Sequence, residues 1–382
     1  MIGTTMRRAE IAIVGGGLAG LYAAWLLQQH GITDWQVIEA RDTLGGRILS
    51  LPALAQGAGH DPTSVRTTDR FDLGPSWFWP GYQQQLDRLV QQLDLERFEQ
   101  HETGDMMVER SPHGSPVRMR GYVNSPPSMR LLGGMGSLID ALHQRLDRTR
   151  IATGQTVRRM RCTGDEVDLV SEDASGQATI WRVGQVLLAM PPRLVVERIA
   201  FTPALPATLA QTWQATATWM APHAKYFAVY ERPFWREQGL SGEARSACGP
   251  LAEIHDASMP DGAAALFGFF SLPTNLRQGV TEALLRSHCR AQLARLFGLP
   301  AAHPTAELFK DWAVDPCTAT AADGYGAGQH PGAPARGAPT GAWAGRLVGI
   351  GSEWSPQFTG YVAGAVEAAS LGLETVLAKR LP

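Results

Sequence analysis

The sequence predicts an α/β fold, and three observations point to it. A short apolar strand, EIAIV, runs into a glycine turn and then into LAGLYAAWLLQQHG, which has the length and composition of a helix. A second strand, WQVIEA, follows after a brief turn at Gly31. The chain then closes on another strand and helix, GRLVGIGSEW and YVAGAVEAASLGLETVLAKRL.

The first turn carries the most information. Gly15, Gly17 and Gly20 fit G-x-G-x-x-G between a strand and a helix, and Glu39 lies nineteen residues beyond Gly20 at the end of the second strand. Gly15 permits the tight turn, Gly17 lets backbone N–H groups approach a pyrophosphate, and Gly20 lets helix and strand pack closely. The helix start adds its partial positive charge. A carboxylate at Glu39 can accept hydrogen bonds from both ribose hydroxyls and would repel a 2′-phosphate. This is a Rossmann unit built for an adenine dinucleotide.

Further along, LPALAQGAGHDPTSVRTTDR reads as a broken polar loop leading to the strand RFDLG. YQQQLDRLVQQLDLE has helical spacing at Leu86, Leu89, Val90 and Leu93, and MMVER and VRMRGY read as short strands on either side of SPHGSP. RLLGGMGSLIDALHQRL is a glycine turn opening a helix. From 151 to 190, short alternating runs predict an antiparallel ribbon returning to a core strand and ending at MPPRL. Beyond residue 200 come TWMAPHAKYFAVYERPFW, AALFGFFSL and the helix-like TEALLRSHCRAQLARLFG, then a Gly/Ala/Pro-rich stretch from Trp312 to Trp343 that reads as surface loop or active-site wall.

Composition narrows the function. With 382 residues, 44% of them hydrophobic, the chain can bury more than one domain's core. A net charge of −2 and the lack of basic runs argue against nucleic acid or an anionic membrane surface as partner. The four cysteines are scattered and the histidines unclustered, which predicts neither a metal site nor a disulfide framework and fits a reducing cytoplasm. No apolar run is long enough to span a bilayer, and the start reads as a Rossmann strand and not as a secretion signal. Only Lys225, Lys310 and Lys379 are lysines.

After Glu39 comes E-A-R-D-T-L-G-G-R, with Arg41, Gly46 and Arg47. It is similar to the flavoprotein continuation in which a second glycine pair and an arginine close over the pyrophosphate, so FAD is favoured over NAD, with Arg47 as bidentate phosphate ligand. Together with FDLGPSWFW, GGMGSLIDAL, VLLAMPP, AKYFAVYERPFW, GFF, DW and GIGSEWSPQFTGYVAGAVEAA in that order, the chain resembles the flavin-dependent amine oxidases, which include monoamine and polyamine oxidases. The resemblance implies a discontinuous Rossmann-type FAD-binding domain (1–75, 131–199 and 340–382) with an inserted α+β substrate domain (76–130 and 200–339). The helical part of the latter is shorter here than in the animal enzymes.

The same resemblance assigns roles. Lys225, nine residues before Phe234 and Trp235, would hold a water against flavin N5. Glu353 and Val362, with the closing helix behind them, would complete the flavin cradle, and Val157 would meet the adenine. Tyr361 would be one aromatic wall beside the amine, with Trp312 as a further lining residue. The second wall falls ten residues after Trp312, at Ala322, and the position of the family's covalent cysteine falls at Ala321. FAD is therefore expected to be noncovalent, with Cys317 too early to be the anchor. The implied reaction takes a hydride equivalent from a small amine to give an imine, with dioxygen as acceptor and hydrogen peroxide as product. A desaturase or protoporphyrinogen-oxidase-like activity on a hydrophobic ring, or a flavin-binding protein without turnover, remain alternatives. The oligomeric state is not read from the sequence.

Overall fold

The computed structural model describes residues 5–53, 69–325 and 332–378. Most of the loop expected between the second strand and RFDLG lies outside these residues, as does Lys379. The described chain divides into two compact units. One comprises Met1–Ile48, Leu138–Met220 and Pro316–Pro382, and the other Leu49–Ser137 and Ala221–Asp315.

The first unit is built on an eight-stranded sheet, seven strands of which run in the order Ala200–Thr202, Thr156–Thr163, Glu166–Glu172, Ala178–Leu188, Thr5–Val14, Trp35–Ile38, Ile151–Ala152. Leu347–Gly349 is the eighth and pairs in parallel with the end of Ala178–Leu188. The opening strand starts at Thr5, earlier than its apolar run suggests, because Ala178–Leu188 pairs along its whole length. That partner is the predicted ribbon's returning strand: it pairs antiparallel with Glu166–Glu172 and parallel with the opening strand. MPPRL ends it in a short helix, Pro192–Arg198, with proline at the first helical turn. The register aligns Val14 with both Ile38 and Leu188, and Leu188 with Gly349. The residues that follow, Gly15, Glu39, Ala189 and Ile350, therefore emerge at one carboxyl edge of the parallel strands, where ligands of such sheets bind. Val14, Ile38, Leu188, Trp181, Trp213 and Trp354 belong to the core beside them.

The second unit holds a seven-stranded sheet in the order Ala306–Asp311, Ala224–Tyr230, Ala264–Phe270, Leu251–Asp256, Leu240–Ser246, Asp105–Glu109, Val117–Arg120. Asp105–Glu109 and Val117–Arg120, the short strands expected from MMVER and VRMRGY, pair antiparallel with each other. Ala224–Tyr230 is buried on both faces, so its alternation separates two cores. Tyr226, Ala228 and Tyr230 pack with Leu285, Cys289 and Leu293 of the helix Glu282–Phe297, while Phe227 and Val229 pack with Phe71, Leu73 and Phe267. No helix among the described residues is long and apolar enough to cross a membrane.

Candidate functional site

At the carboxyl edge of the first unit's sheet, two glycine turns lie side by side. Gly15 has φ +112°, and a Cβ there would stand 2.6 Å from the carbonyl oxygen of Ala189. A Cβ on Gly20 would stand 1.9 Å from that of Gly15, which explains why helix and turn can approach only without side chains. The N–H of Gly45 donates to the Gly16 carbonyl at 2.9 Å, and Gly17 bridges Gly45. Gly46, at φ +59°, would carry a Cβ 3.3 Å from the Gly17 Cα. The helix Leu18–Gln29 begins behind Gly17 with no side-chain cap and no acidic residue in its first turn. Its first N–H groups are the kind of donors a phosphate accepts from. A cradle of close-packed bare backbone fits a pyrophosphate.

Glu39 is buried beside this turn. Its Oε2 accepts the Gly16 N–H at 2.5 Å and its Oε1 accepts the Arg41 N–H at 2.8 Å. Each carboxylate oxygen keeps a further lone-pair direction, enough for two hydroxyl donors. The Arg41 side chain turns to the Thr318 hydroxyl at 3.3 Å. Val157 is a buried core residue at the start of Thr156–Thr163, paired with Ser171.

Arg47 and Glu353 meet each other. Nη1 of Arg47 donates to Oε1 of Glu353, and Nη2 donates to Oε2 at 3.1 Å and to the Ser352 hydroxyl at 3.3 Å. The Glu353 side chain is 0% exposed and that of Arg47 29%. Burial works against the guanidinium's charge, yet Glu353 beside it raises the pKa of Arg47 above its ordinary value. The bidentate fork is thus spent on a carboxylate, leaving Nε and one Nη1 proton for any phosphate. Sequence spacing could not show this pairing, because the two residues are 306 positions apart.

Glu353 stands in a one-turn helix, Ser352–Trp354, before the closing helix Val362–Ala378. Glu367 holds the intervening loop. It accepts from the Ser355 hydroxyl and, at 3.1 Å, from the N–H of Gln357, while the Phe358 N–H donates to Ser355 Oγ at 2.8 Å. The loop ends at Tyr361, whose ring lies 4.9 Å from that of Trp219, tilted by 45°. Trp219 is an aromatic that the sequence reading did not single out. The backbone just before it is held by Asp323, whose Oδ1 accepts the N–H of Thr218 at 3.0 Å and pairs with Arg193 at 2.5 Å, while Oδ2 accepts the N–H and hydroxyl of Thr320. Ala321 and Ala322 sit exposed on the turn Ala321–Tyr325 that Asp323 anchors.

In the second unit, Lys225 lies opposite Phe269 and Lys310. It is 4% exposed. Its Nζ donates to the carbonyls of Gly74 at 2.6 Å and Asp72 at 3.2 Å and to the Ser76 hydroxyl at 3.0 Å. The rings of Phe267 and Phe269 approach it at 4.6 and 4.9 Å. Burial brings its pKa down to about 7, with Asp72 opposing and Arg130 adding to the fall. Trp312 is likewise packed: its Nε1 donates to the Leu73 carbonyl at 2.9 Å and the Lys310 ammonium lies 4.6 Å from its ring. Trp77 donates to Gln100 at 2.8 Å and stands edge-on to His255.

A family model described as flavin containing amine oxidoreductase matches residues 110–371, and one described as an NAD(P)-binding Rossmann-like domain matches 13–93. The putrescine oxidase of Kocuria rosea is 29% identical over 205 residues, which are 50% of this chain and 41% of that protein. A protein of Dictyostelium discoideum named "Probable flavin-containing monoamine oxidase A" is 26% identical over 250 residues, 63% of this chain and 51% of that one. The chain thus spans about half the length of these relatives. The solved structure of wild-type putrescine oxidase bound to putrescine has the same fold, with a TM-score of 0.77 at 21% identity over 97% of this chain and 100% of that one.

Proposed function

Because the chain belongs to the flavin containing amine oxidoreductase family, we propose that it is an FAD-dependent oxidoreductase that converts a small amine to an imine, with dioxygen as acceptor and hydrogen peroxide as product. The observation that carries this reading is the convergence of Gly15, Gly17, Gly46, Glu39 and the Arg47–Glu353 pair at one sheet edge. In the proposal the first unit holds the dinucleotide and the second contributes to substrate handling.

Gly15, Gly17 and Gly46 would offer backbone to the pyrophosphate, with Arg41 and the remaining protons of Arg47 near it. Glu39 would accept from the ribose and Val157 would face the adenine. Glu353 would hold Arg47 and the local backbone in place. Val362 and the start of the closing helix would set partial positive charge against negative charge developing on the ring. When bound, the flavin would accept a hydride equivalent from the carbon next to the amine nitrogen. Binding is noncovalent in this reading, since the turn Ala321–Tyr325 offers no thiol.

Tyr361 and Trp219 make an aromatic corner suited to the carbon skeleton of an amine. All three ammonium protons of Lys225 have acceptors in its own unit, so the role proposed for it is electrostatic: a positive charge that favours electron transfer to dioxygen. Trp312 is proposed as a lining residue.

The deciding experiment is the visible spectrum of the purified protein before and after anaerobic addition of a panel of amines and, separately, a panel of cyclic and polyene compounds. Bleaching by amines is expected. Bleaching only by cyclic or polyene compounds, or by nothing in either panel, would remove the amine reading. Within the same assay Trp219→Ala should raise the amine concentration for half-maximal reduction about tenfold, the scale of one lost aromatic or cation–π contact. The limiting rate should hold, and Trp219→Phe should restore most of the affinity.

A further inference from the structure

We propose that His255 is the base that takes the proton from an incoming amine, and that Glu253 orients it for that task. The inference rests on the amine-oxidising reading and supplies its first step. An alkylamine, like a lysine side chain, is an ammonium ion in neutral water, and only the neutral amine can lose a hydride from the carbon beside its nitrogen.

The register of the second unit's sheet sets two rows of side chains next to each other on one face. Lys225, Phe269 and Glu253 form one row, and Phe227, Phe267 and His255 the other. Three rings thus lie abreast across three strands, with Phe267 5.1 Å from Phe227 and 5.4 Å from the His255 imidazole. The Lys225 ammonium lies 4.6 Å from the same Phe267 ring. Under the proposed function Lys225 acts on the bound flavin, so the face it shares with His255 is the one an amine has to reach. On that face Trp77, Phe269 and His255 are only half-buried.

The imidazole is held as a base has to be. Its Nε2 meets Glu253 Oε1 at 2.7 Å. A carboxylate only accepts, so Nε2 carries the ring proton and Nδ1 the lone pair. Nδ1 has no hydrogen-bond partner among the described residues, and the side chain is 15% exposed. Phe267 and Trp77, the latter edge-on at 4.9 Å, fix the plane of the ring. Glu253 is paired in turn with Arg245, which faces it across the strands and also donates to Glu243 at 3.1 Å. Lys225 stands one ring away, with Lys310 on the strand beyond it. Asp256, on the opposite face by alternation, is forked by Arg236. When the proton passes, an N–H bond of the ammonium breaks, its electron pair stays on the amine nitrogen, and a new N–H bond forms at Nδ1. Glu253 then lies against the imidazolium and offsets its charge. The partly exposed ring can give the proton back to water.

Imidazole 15N signals of the flavin-loaded protein labelled with [15N]histidine report the ring directly, His255→Gln identifying the one that matters. A protonated Nε2 and a bare Nδ1 are expected, with Glu253→Gln mixing the two tautomers. A neutral ring protonated at Nδ1 overturns the inference. With butylamine, His255→Gln is expected to lower the bimolecular rate of anaerobic bleaching about a hundredfold at about pH 7, the scale of one general base. The deficit should shrink to about twofold at about pH 10, where the solution itself supplies neutral amine. A deficit that is absent, or the same at every pH as a merely structural histidine would give, overturns the inference. Glu253→Gln should show the same convergence from a smaller deficit, about tenfold, and decides the matter if His255→Gln does not fold. If no amine bleaches the wild type, the amine reading falls and the base role with it. Bleaching of the wild type with an unmoved His255→Gln rate removes the base alone, so the two failures are told apart.

Discussion

Lys225→Met is expected to slow reoxidation of the reduced enzyme by dioxygen about a hundredfold, the scale on which one preorganised electrostatic group in a dry site contributes. The flavin should stay bound, because the cradle of Gly15, Gly17, Glu39 and Glu353 belongs to the other unit. The wild-type pH profile carries a second signature. Lys225 is brought from an ordinary 10.5 down to about 7 by burial, so the charge it offers is present below about pH 7 and lost above it. The reoxidation rate should fall as pH rises through that midpoint, and the Lys225→Met rate should not follow it. Stability runs the opposite way. Between about 7 and 10.5 the unfolded chain binds a proton that the folded chain does not, so this residue's contribution to stability rises with pH across that window. Stopped-flow mixing with oxygenated buffer across the range measures the rate. A Lys225→Met rate equal to wild type would remove Lys225 from the oxidative half of the reaction.

What the sequence made legible was local in the chain. The three glycines and Glu39 could be read because the turn, the helix start and the acid depend on a strand–turn–helix–strand unit of about thirty residues, whose spacing reflects its geometry. The identity of Lys225 as a residue to ask about was also legible, from an ammonium among Ala224, Tyr226 and Phe227. Its partners were not, since Asp72, Gly74 and Ser76 come from a turn about 150 positions earlier. Met6, Arg7 and Arg8 are exposed and form no apolar run, yet they lie in the opening strand because Ile180, Trp181 and Arg182 pair with them. Trp219 stayed hidden for the same reason. Nothing near it in sequence points to Tyr361, and the contact joins segments far apart in the chain, beside the backbone of Thr218 that Asp323 holds. Backbone turns are written in consecutive residues, whereas charge pairs and ring contacts across elements are set by topology.

Glu353→Ala is expected to cost about 3 kcal/mol of folding stability and most of the bound flavin. Removing one member of a buried ion pair typically costs about 3–5 kcal/mol, because the partner is left with an uncompensated charge. The lower end applies here, since the Arg47 side chain is 29% exposed and water can recover part of its solvation. The loss of cofactor follows from position. Glu353 leaves the strand Leu347–Gly349 at the carboxyl edge and fixes Arg47, which sits one residue beyond Gly46 in the second glycine turn. With the carboxylate gone, the guanidinium keeps only the 3.3 Å bond to the Ser352 hydroxyl, and the second turn is left to its backbone contacts with the first. Glu353→Gln keeps one acceptor for Arg47 and should retain more flavin than Glu353→Ala, though less than wild type, because the amide nitrogen cannot accept and the two-pronged pairing falls to a single bond with a neutral oxygen. Denaturant unfolding gives the stability difference, and the flavin absorbance per chain after gel filtration gives the occupancy. Full flavin content in Glu353→Ala, with an unfolding midpoint equal to wild type, would show that the Arg47–Glu353 pair neither braces the fold nor orders the cradle.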